Sequence, residues 1–430
     1  MTNTKRIAFL VVLADDHGGM RDIRSGCRAL IVAAMLISTF LENVPQSNAQ
    51  PFSVIDLGTL DPTGFSQGFD INVAGQAVGF SAPNNTPPYS TAFSWTQSGG
   101  MAPLPVVPGF QPELARAINA NGEIVGSASV GAGFHVEAFK LSGGSLIALG
   151  TLNPLLQSSR ANGINIHGDV VGESYDQNGV HGSLGFIHRS GVMSLAGPLR
   201  SANDINNLGF VVGQGGTPNS PMIWDSNSGF FTNLGTLGGS PFASYATAIN
   251  NSNRVVGWSN TSTGATHAYI WSASTGMVNL NAAAVGALSS FALGINDYGQ
   301  VVGSMGLPSL GSRATYWHNG QTIDLNDWLP SSSGWVLERA AGINDDGCIV
   351  GTGRYWGDER AFVMCVPEPG SALCLTIGGL VLVTTRRRSA LCAGFLTLSQ
   401  RQTVHTRRCN DNFNLKTGNT ACIAVECLCP

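Results

Sequence analysis

Few side chains in this sequence could do chemistry, and none falls into a complete catalytic set. Asp70, Arg116, Arg160, Asp204 and Arg339 lie just ahead of a recurring Ile-Asn pair. Asp70 and Asp204 could supply the acid and base of glycoside hydrolysis. Their separate copies of the repeat fix no separation between them, and polar channel lining with bound water is the simpler expectation. Asn296-Asp297-Tyr298-Gly299 and Asn344-Asp345-Asp346-Gly347 look like fragments of calcium loops. A calcium site needs roughly six to eight oxygens, and an EF-hand loop closes on a bidentate glutamate. No such glutamate follows here, so turn-forming side chains explain these residues. His135, His167, His181, His188, His267 and His318 are scattered without ligand spacing. No His-Glu-x-x-His, Gly-x-Ser-x-Gly or phosphate loop occurs. The expectation is therefore no catalytic residue, no metal site and no cofactor.

The elements that carry these residues are written in a repeat. Ile-Asn is followed three residues later by a turn residue, then by an apolar pair and glycine. The asparagines are Asn72, Asn119, Asn165, Asn206, Asn250, Asn296 and Asn344, spaced 47, 46, 41, 44, 46 and 48 residues apart. The turn position holds Gly75, Gly122, Gly168, Gly209, Asn253, Gly299 and Gly347. Asparagine is the residue that best tolerates a left-handed backbone after glycine, so the substitution itself predicts positive φ there. A strand ending at Ile-Asn thus turns into a second strand, with the asparagine bonding turn backbone as in an Asx-turn.

A third, aromatic strand follows in each copy (Thr91 to Trp95, Glu137 to Leu141, Leu184 to His188, Pro221 to Trp224, His267 to Trp271, Arg313 to Trp317, Arg360 to Met364). A fourth precedes the next hairpin, as in Leu146 to Leu152, Phe231 to Leu237 and Met277 to Leu280. Four strands in a unit of this length match a propeller blade. The last unit stops after three strands, while Ser53 to Leu60 is a fourth-type strand with no hairpin before it. Joining the two completes the ring. The predicted fold is all-β, a seven-bladed β-propeller of four-stranded blades over residues 50–365, closed by an N-terminal strand. Trp95, Trp224, Trp271 and Trp317 recur at one strand position and are expected to pack between blades.

Composition agrees with a turn-rich β protein: 55 of 430 residues are glycine, and 11% are charged against roughly 25% in ordinary soluble domains. Residues 50–369 hold 10 Lys and Arg against 20 Asp and Glu. An acidic body with a single lysine, Lys140, cannot supply the phosphate contacts that dominate nucleic-acid affinity, so nucleic acid is set aside.

The two ends read as addresses. Arg21, Arg24 and Arg28 precede the apolar run Ala29 to Leu41, and Ser47-Asn48-Ala49 offers small residues for cleavage. Residues 1–49 are therefore expected to be a signal-peptide region for Sec export, and a start at Met20 would leave a more ordinary signal. At the other end, Val366-Pro367-Glu368-Pro369 is followed by the uncharged run Ala372 to Thr385 and by Arg386-Arg387-Arg388. A motif, a membrane-seeking segment with transient bilayer contact and an arginine stop make up a sorting signal over residues 366–388. Residues 389–430 form a cysteine-containing tail, expected to be disordered and unusual after such a signal.

The 366–388 segment resembles the PEP-CTERM signal of Gram-negative bacteria. That resemblance implies exosortase as a partner and release to the cell surface or outer membrane, or to extracellular polysaccharide. Leu234-Gly235-Thr236-Leu237-Gly238-Gly239, Ala248-Ile249-Asn250, Val255-Val256-Gly257 and His267-Ala268-Tyr269 resemble the HAF family of bacterial extracellular repeats, named for a His-Ala-Phe element. The likeness spans roughly residues 53–365 and implies an exported repeat domain with no settled activity. The His-Ala pair becomes Thr91-Ala92, Glu137-Ala138 and Arg360-Ala361 elsewhere, so the histidine is not a reused ligand.

The expected function is a non-enzymatic binding or structural module outside the cell. The alternatives are a secreted polysaccharide-acting hydrolase or lyase, and a calcium-dependent adhesin. A hairpin turning around Tyr355 to Asp358 also sets Cys348 opposite Cys365, within disulfide reach in an exported compartment. Ellman titration of the unfolded, unreduced body is expected to find neither thiol; two free thiols there would refute the bond.

Overall fold

In a computed structural model of the chain, the described residues are 52–366, apart from 85–89, 132–134, 217–219, 240–243 and 282–286. The signal-peptide region, Pro367, Glu368, Pro369, Arg386, Arg387, Arg388 and the tail lie outside them. Among the described residues no helix is long and apolar enough to cross a membrane.

The fold is all-β and built from four-stranded antiparallel sheets. Five sheets have four strands each, and a sixth, of eight, is two antiparallel groups of four joined by a single parallel bridge, Thr266 to Ser289. The fifth copy of the repeat shows the order: Tyr245–Ile249, Val255–Asn260, Thr266–Ser272 and Gly276–Asn279, each paired with the next. In every copy the first strand ends at the isoleucine of Ile-Asn. The last sheet takes its fourth strand from the other end of the body, where Val54–Asp56 pairs with Asp358–Cys365.

The apolar pair of the motif explains where the core sits. Consecutive strand residues face opposite sides of a sheet, so two adjacent apolar residues require both faces to be buried. Val255 packs with Val212, Ile223 and Trp271 against the preceding sheet, while Val256 packs with Ala292, Val301 and Trp317 against the following one. The same division holds for Val170 and Val171, and for Val211 and Val212. The core is thus a series of layers between neighbouring sheets. One layer joins the first copy to the last, placing Ala77, Phe93 and Trp95 against Val350, Ala361 and Val363. The four recurrent tryptophans are all buried in these layers.

The glycine that ends each motif is a matter of clearance. A Cβ on Gly257 would stand 1.8 Å from the carbonyl oxygen of Tyr245, and on Gly79, Gly126, Gly172, Gly213, Gly303 and Gly351 it would meet the equivalent carbonyl at 1.8–2.1 Å. The aromatic ring opposite, Tyr269 against Gly257 or Phe93 against Gly79, lies over the space left free.

The fourth strands are shorter than the sequence suggests. Alternating Leu-Gly-Thr-Leu looks extended, yet the strands end at Asp56, Gly150 and Asn233. Gly58, Gly150 and Gly235 take φ of +78°, +79° and +81°, which turns the chain away from the sheet. The leucines that follow donate their N–H to Ser81, Ser174 and Ser259 on the second strand of the next copy. These segments are therefore the crossings between sheets.

Gly257→Ala is expected to destabilise the body by at least about 2 kcal/mol, because backbone must shift to admit the methyl group. Gly264→Ala, where φ is +84° and nothing lies within 4 Å, should cost only about 1 kcal/mol. Urea unfolding midpoints of the two variants would separate close approach from backbone conformation.

Candidate functional site

The recurring asparagine binds its own hairpin and the next one. Its Oδ1 accepts the N–H four residues on in all seven copies, from Gln76, Glu123, Asp169, Phe210, Arg254, Gln300 and Cys348. All seven turn residues, Asn253 included, have positive φ. The Nδ2 group donates to the carbonyl of the next asparagine, from Asn72 to Asn119, Asn165, Asn206, Asn250, Asn296 and Asn344, at 2.9–3.3 Å. Asn344 then donates to the carbonyl of Asn72 at 2.9 Å, so the series returns to its start.

Three residues before each asparagine, the first strand bulges. The pairing of the first and second strands skips Phe69, Arg116, Asn162, Asn203, Thr247, Leu293 and Ala341. A bulged residue is freed from the ladder and its side chain is re-aimed. All seven line a single cavity of about 300 Å³, together with Arg160, Glu173, Ser201 and Arg339. A volume of this order suits a small ligand.

Three guanidinium groups dominate the cavity. Arg160 pairs with Glu173 at 3.4 Å and lies over the ring of Tyr175, 4.4 Å from its centroid. Arg116 sits 5.6 Å from the centroid of Phe69, and its Nε is buried with no hydrogen-bond partner. Loss of hydration lowers the pKa of Arg116, with the charges of Arg160 and Arg339 adding to it. Arg339 is exposed, yet the loss of hydration imposed by the protein around its guanidinium lowers its pKa too. Among the described residues no carboxylate pairs with Arg116 or Arg339.

The amide side of the cavity is tied down. Asn162, Asn203 and Thr247 donate to the carbonyls of Ala202, Ala246 and Ala292, each on the next first strand. Asp70 and Asp204 stand one residue beyond the bulge and bridge neighbouring strands. Asp70 accepts from the N–H groups of Ile71 and Ile118 at 2.8 and 2.9 Å, and Asp204 from those of Ile205 and Ile249 at the same distances. Burial pushes the Asp70 carboxyl up to about 6 and that of Asp204 up to about 7 in spite of these bonds; the charge of Asp70 adds to the latter. In each residue both carboxylate oxygens are used by backbone.

The sequence thus picked out three cavity residues, Arg116, Arg160 and Arg339, and two carboxylates beside it. It missed Asn162, Asn203, Thr247 and Glu173. Reading the residue three before each asparagine would have found the first three; Glu173, on a second strand, carries no such mark.

The remaining candidates fall elsewhere. Asp297 accepts from Asn251 through both oxygens, and Asp345 accepts from the N–H of Asp297, so the calcium-like fragments tie hairpin to hairpin. His267 and His167 bond Asn279 and the carbonyl of Asn207. Among the described residues no group of three or more His, Cys, Asp or Glu could hold a metal ion. Cys348 and Cys365 are direct partners in the strand register and are joined by a disulfide. Val366 donates its N–H to the carbonyl of Gly347 at 3.0 Å.

No family model and no curated protein matches the chain. Among solved structures it is similar to a prolyl endopeptidase, with 10% identity, a TM-score of 0.45, and coverage of 81% of this chain and 56% of the other. A puromycin-hydrolyzing peptidase of Mycobacterium tuberculosis gives 11%, 0.45, 74% and 55%. A putative TolB from Agrobacterium tumefaciens gives 12%, 0.34, 71% and 92%. The chain spans little more than half the length of either peptidase. At these scores the fold rests on strand pairing and hydrogen bonding.

Asp204 makes stability depend on pH. Its folded pKa stands above the unfolded value of about 3.9, so the folded state holds the proton more tightly and the group's contribution is greatest below that value. It is lost as pH rises toward about 7. The thermal midpoint is expected to fall as pH rises through this window, and Asp204→Asn should flatten the fall. An unchanged slope in scanning calorimetry would count against a buried, protonated Asp204.

Proposed function

We propose that the chain is a closed, seven-bladed β-propeller of the HAF-repeat type that acts outside the cell as a non-enzymatic binding module. The observation that carries this reading is that each copy of the repeat sends one bulged side chain into a single cavity. Closure is supported by the return of the asparagine series to Asn72, by the strand Val54–Asp56 on the last sheet, and by the core layer between the first and last copies.

The rival readings find less support. A glycoside hydrolase needs one carboxyl free to give a proton and another to attack or to activate water. Asp70 and Asp204 spend their oxygens on backbone N–H groups instead. A calcium-dependent adhesin needs several oxygens gathered on one ion, whereas those of Asp297 and Asp345 bond neighbouring hairpins. Sec export, exosortase processing and residence at the cell surface or in extracellular polysaccharide complete the proposal, on the strength of the terminal motifs.

Intact mass by cell fraction tests the address. A body beginning near Gln50 and ending close to Pro369, recovered outside the cytoplasm, is expected; a full-length species held in the membrane would overturn the sorting proposal. The purified body should also co-sediment with the host's extracellular polysaccharide without releasing reducing or unsaturated sugar ends. Such release would make it an enzyme.

A further inference from the structure

We infer that the cavity is a binding site for a small ligand bearing an oxyanion, a carboxylate or a phosphate group, held by Arg116 and Arg339 with Arg160 beside them. This rests on the reading of the cavity as a binding site, and adds the chemistry of what it binds.

Arg116, Arg160 and Arg339 bring three positive charges to the cavity and Glu173 brings one negative charge, which leaves a formal excess of two. The body as a whole is acidic, so a concentration of arginine in one place runs against its composition. Elsewhere most arginines have carboxylate partners: Arg189 with Asp169, Arg313 with Asp324, Arg354 with Glu338 and Arg360 with Asp358. Two of the arginines without a carboxylate partner, Arg116 and Arg339, lie where the bulges open a space, while Arg200 and Arg254 lie elsewhere. Holding like charges together in a partly desolvated place costs free energy, which the charge of Glu173 offsets only in part at Arg116 and no ion pair offsets at Arg339, and an arriving anion would offset it.

Two of the three arginines are also held in place. Phe69 supports Arg116, while Tyr175 and Glu173 fix Arg160. A guanidinium offers two parallel N–H groups that match the two oxygens of a carboxylate or phosphate. Arg116 and Arg339 retain this capacity, since neither spends it on a described carboxylate. Asp70 and Asp204 do not compete, because their oxygens are occupied by backbone N–H groups.

The test is calorimetric titration of the folded body, at low and at high salt, with sodium glucuronate, inorganic phosphate and glucose. Glucuronate or phosphate is expected to bind and glucose not, with affinity falling as salt rises; which of the two binds tells sugar acid from phosphate. Arg339→Gln and Arg116→Met should each weaken binding at least tenfold, and Arg339→Lys should restore part of the loss. Arg354→Gln, outside the cavity, should leave binding unchanged. Thermal midpoints check that Arg116→Met folds, and Arg339→Gln, more exposed, gives a second variant if it does not.

No binding of either oxyanion, or equal binding by both arginine variants and the parent, overturns the proposal. Binding of glucose alone overturns the anion assignment while leaving a binding module. Turnover of a glucuronide that both arginine variants abolish would do the reverse, upholding the anion and refuting the non-enzymatic reading.

Discussion

One side chain amide, used seven times, carries the arrangement of this molecule. Each recurring asparagine is nearly inaccessible to water, between 2% and 5% exposed, so its amide must find partners within the protein. The carbonyl end closes its own hairpin, and the amino end takes the carbonyl of the next hairpin. Local conformation and the relation between sheets are thus set by the same group. Loss of one asparagine leaves the N–H four residues on without its acceptor, at a cost of about 1–3 kcal/mol, and takes from the next hairpin's carbonyl one of its two donors, the other being the N–H of its own turn residue. That double duty explains why this residue recurs while the aromatic strand, whose task is to fill space, drifts among Phe, Met, Tyr and Thr.

The apolar pair and glycine that follow the turn work on the same scaffold in a different currency. Two adjacent apolar residues are useful only to a strand buried on both faces, so the motif specifies a neighbour on each side. The glycine then admits the bulged first strand, whose carbonyl stands where a Cβ would be. The small residue opposite, Ala246 in the fifth copy and Gly68 in the first, belongs to the same close approach. Hairpin, bulge and layered core are consequences of one another.

What was legible in the sequence follows from this. A positive φ leaves a compositional trace because few residues tolerate it, so Gly75 through Gly347, with Asn253 among them, announced the hairpins. Buried pairs such as Val255-Val256 leave a trace because water excludes polar residues from both faces. Leu-Gly-Thr-Leu misled, since its alternation looks like a strand and its glycine is read as tolerated when it in fact turns the chain. The bulge left no trace in residue type, only in its place three before each asparagine: Phe69, Arg116, Asn162, Asn203, Thr247, Leu293 and Ala341 share no chemistry. Freed from the ladder, they answer to no common packing demand. Arg116, Arg160 and Arg339 were visible because they are polar residues just ahead of the recurring Ile-Asn pair.

The same freedom bears on function. A residue that neither pairs in the sheet ladder nor fills a core layer is free of the demands that fix the motif, which makes the bulge the place where one repeat can differ from another. The differences here are ordered around the cavity. In the third to fifth copies the bulged residues are Asn162, Asn203 and Thr247, which bond the next strand and stiffen their side. In the first and second copies they are Phe69 and Arg116, an aromatic ring beneath a cation, and the last copy adds Arg339 from two residues earlier. Rigidity on one side and unpaired positive charge on the other is the arrangement preorganised recognition requires, because the free energy of ordering is met in the fold before a ligand arrives.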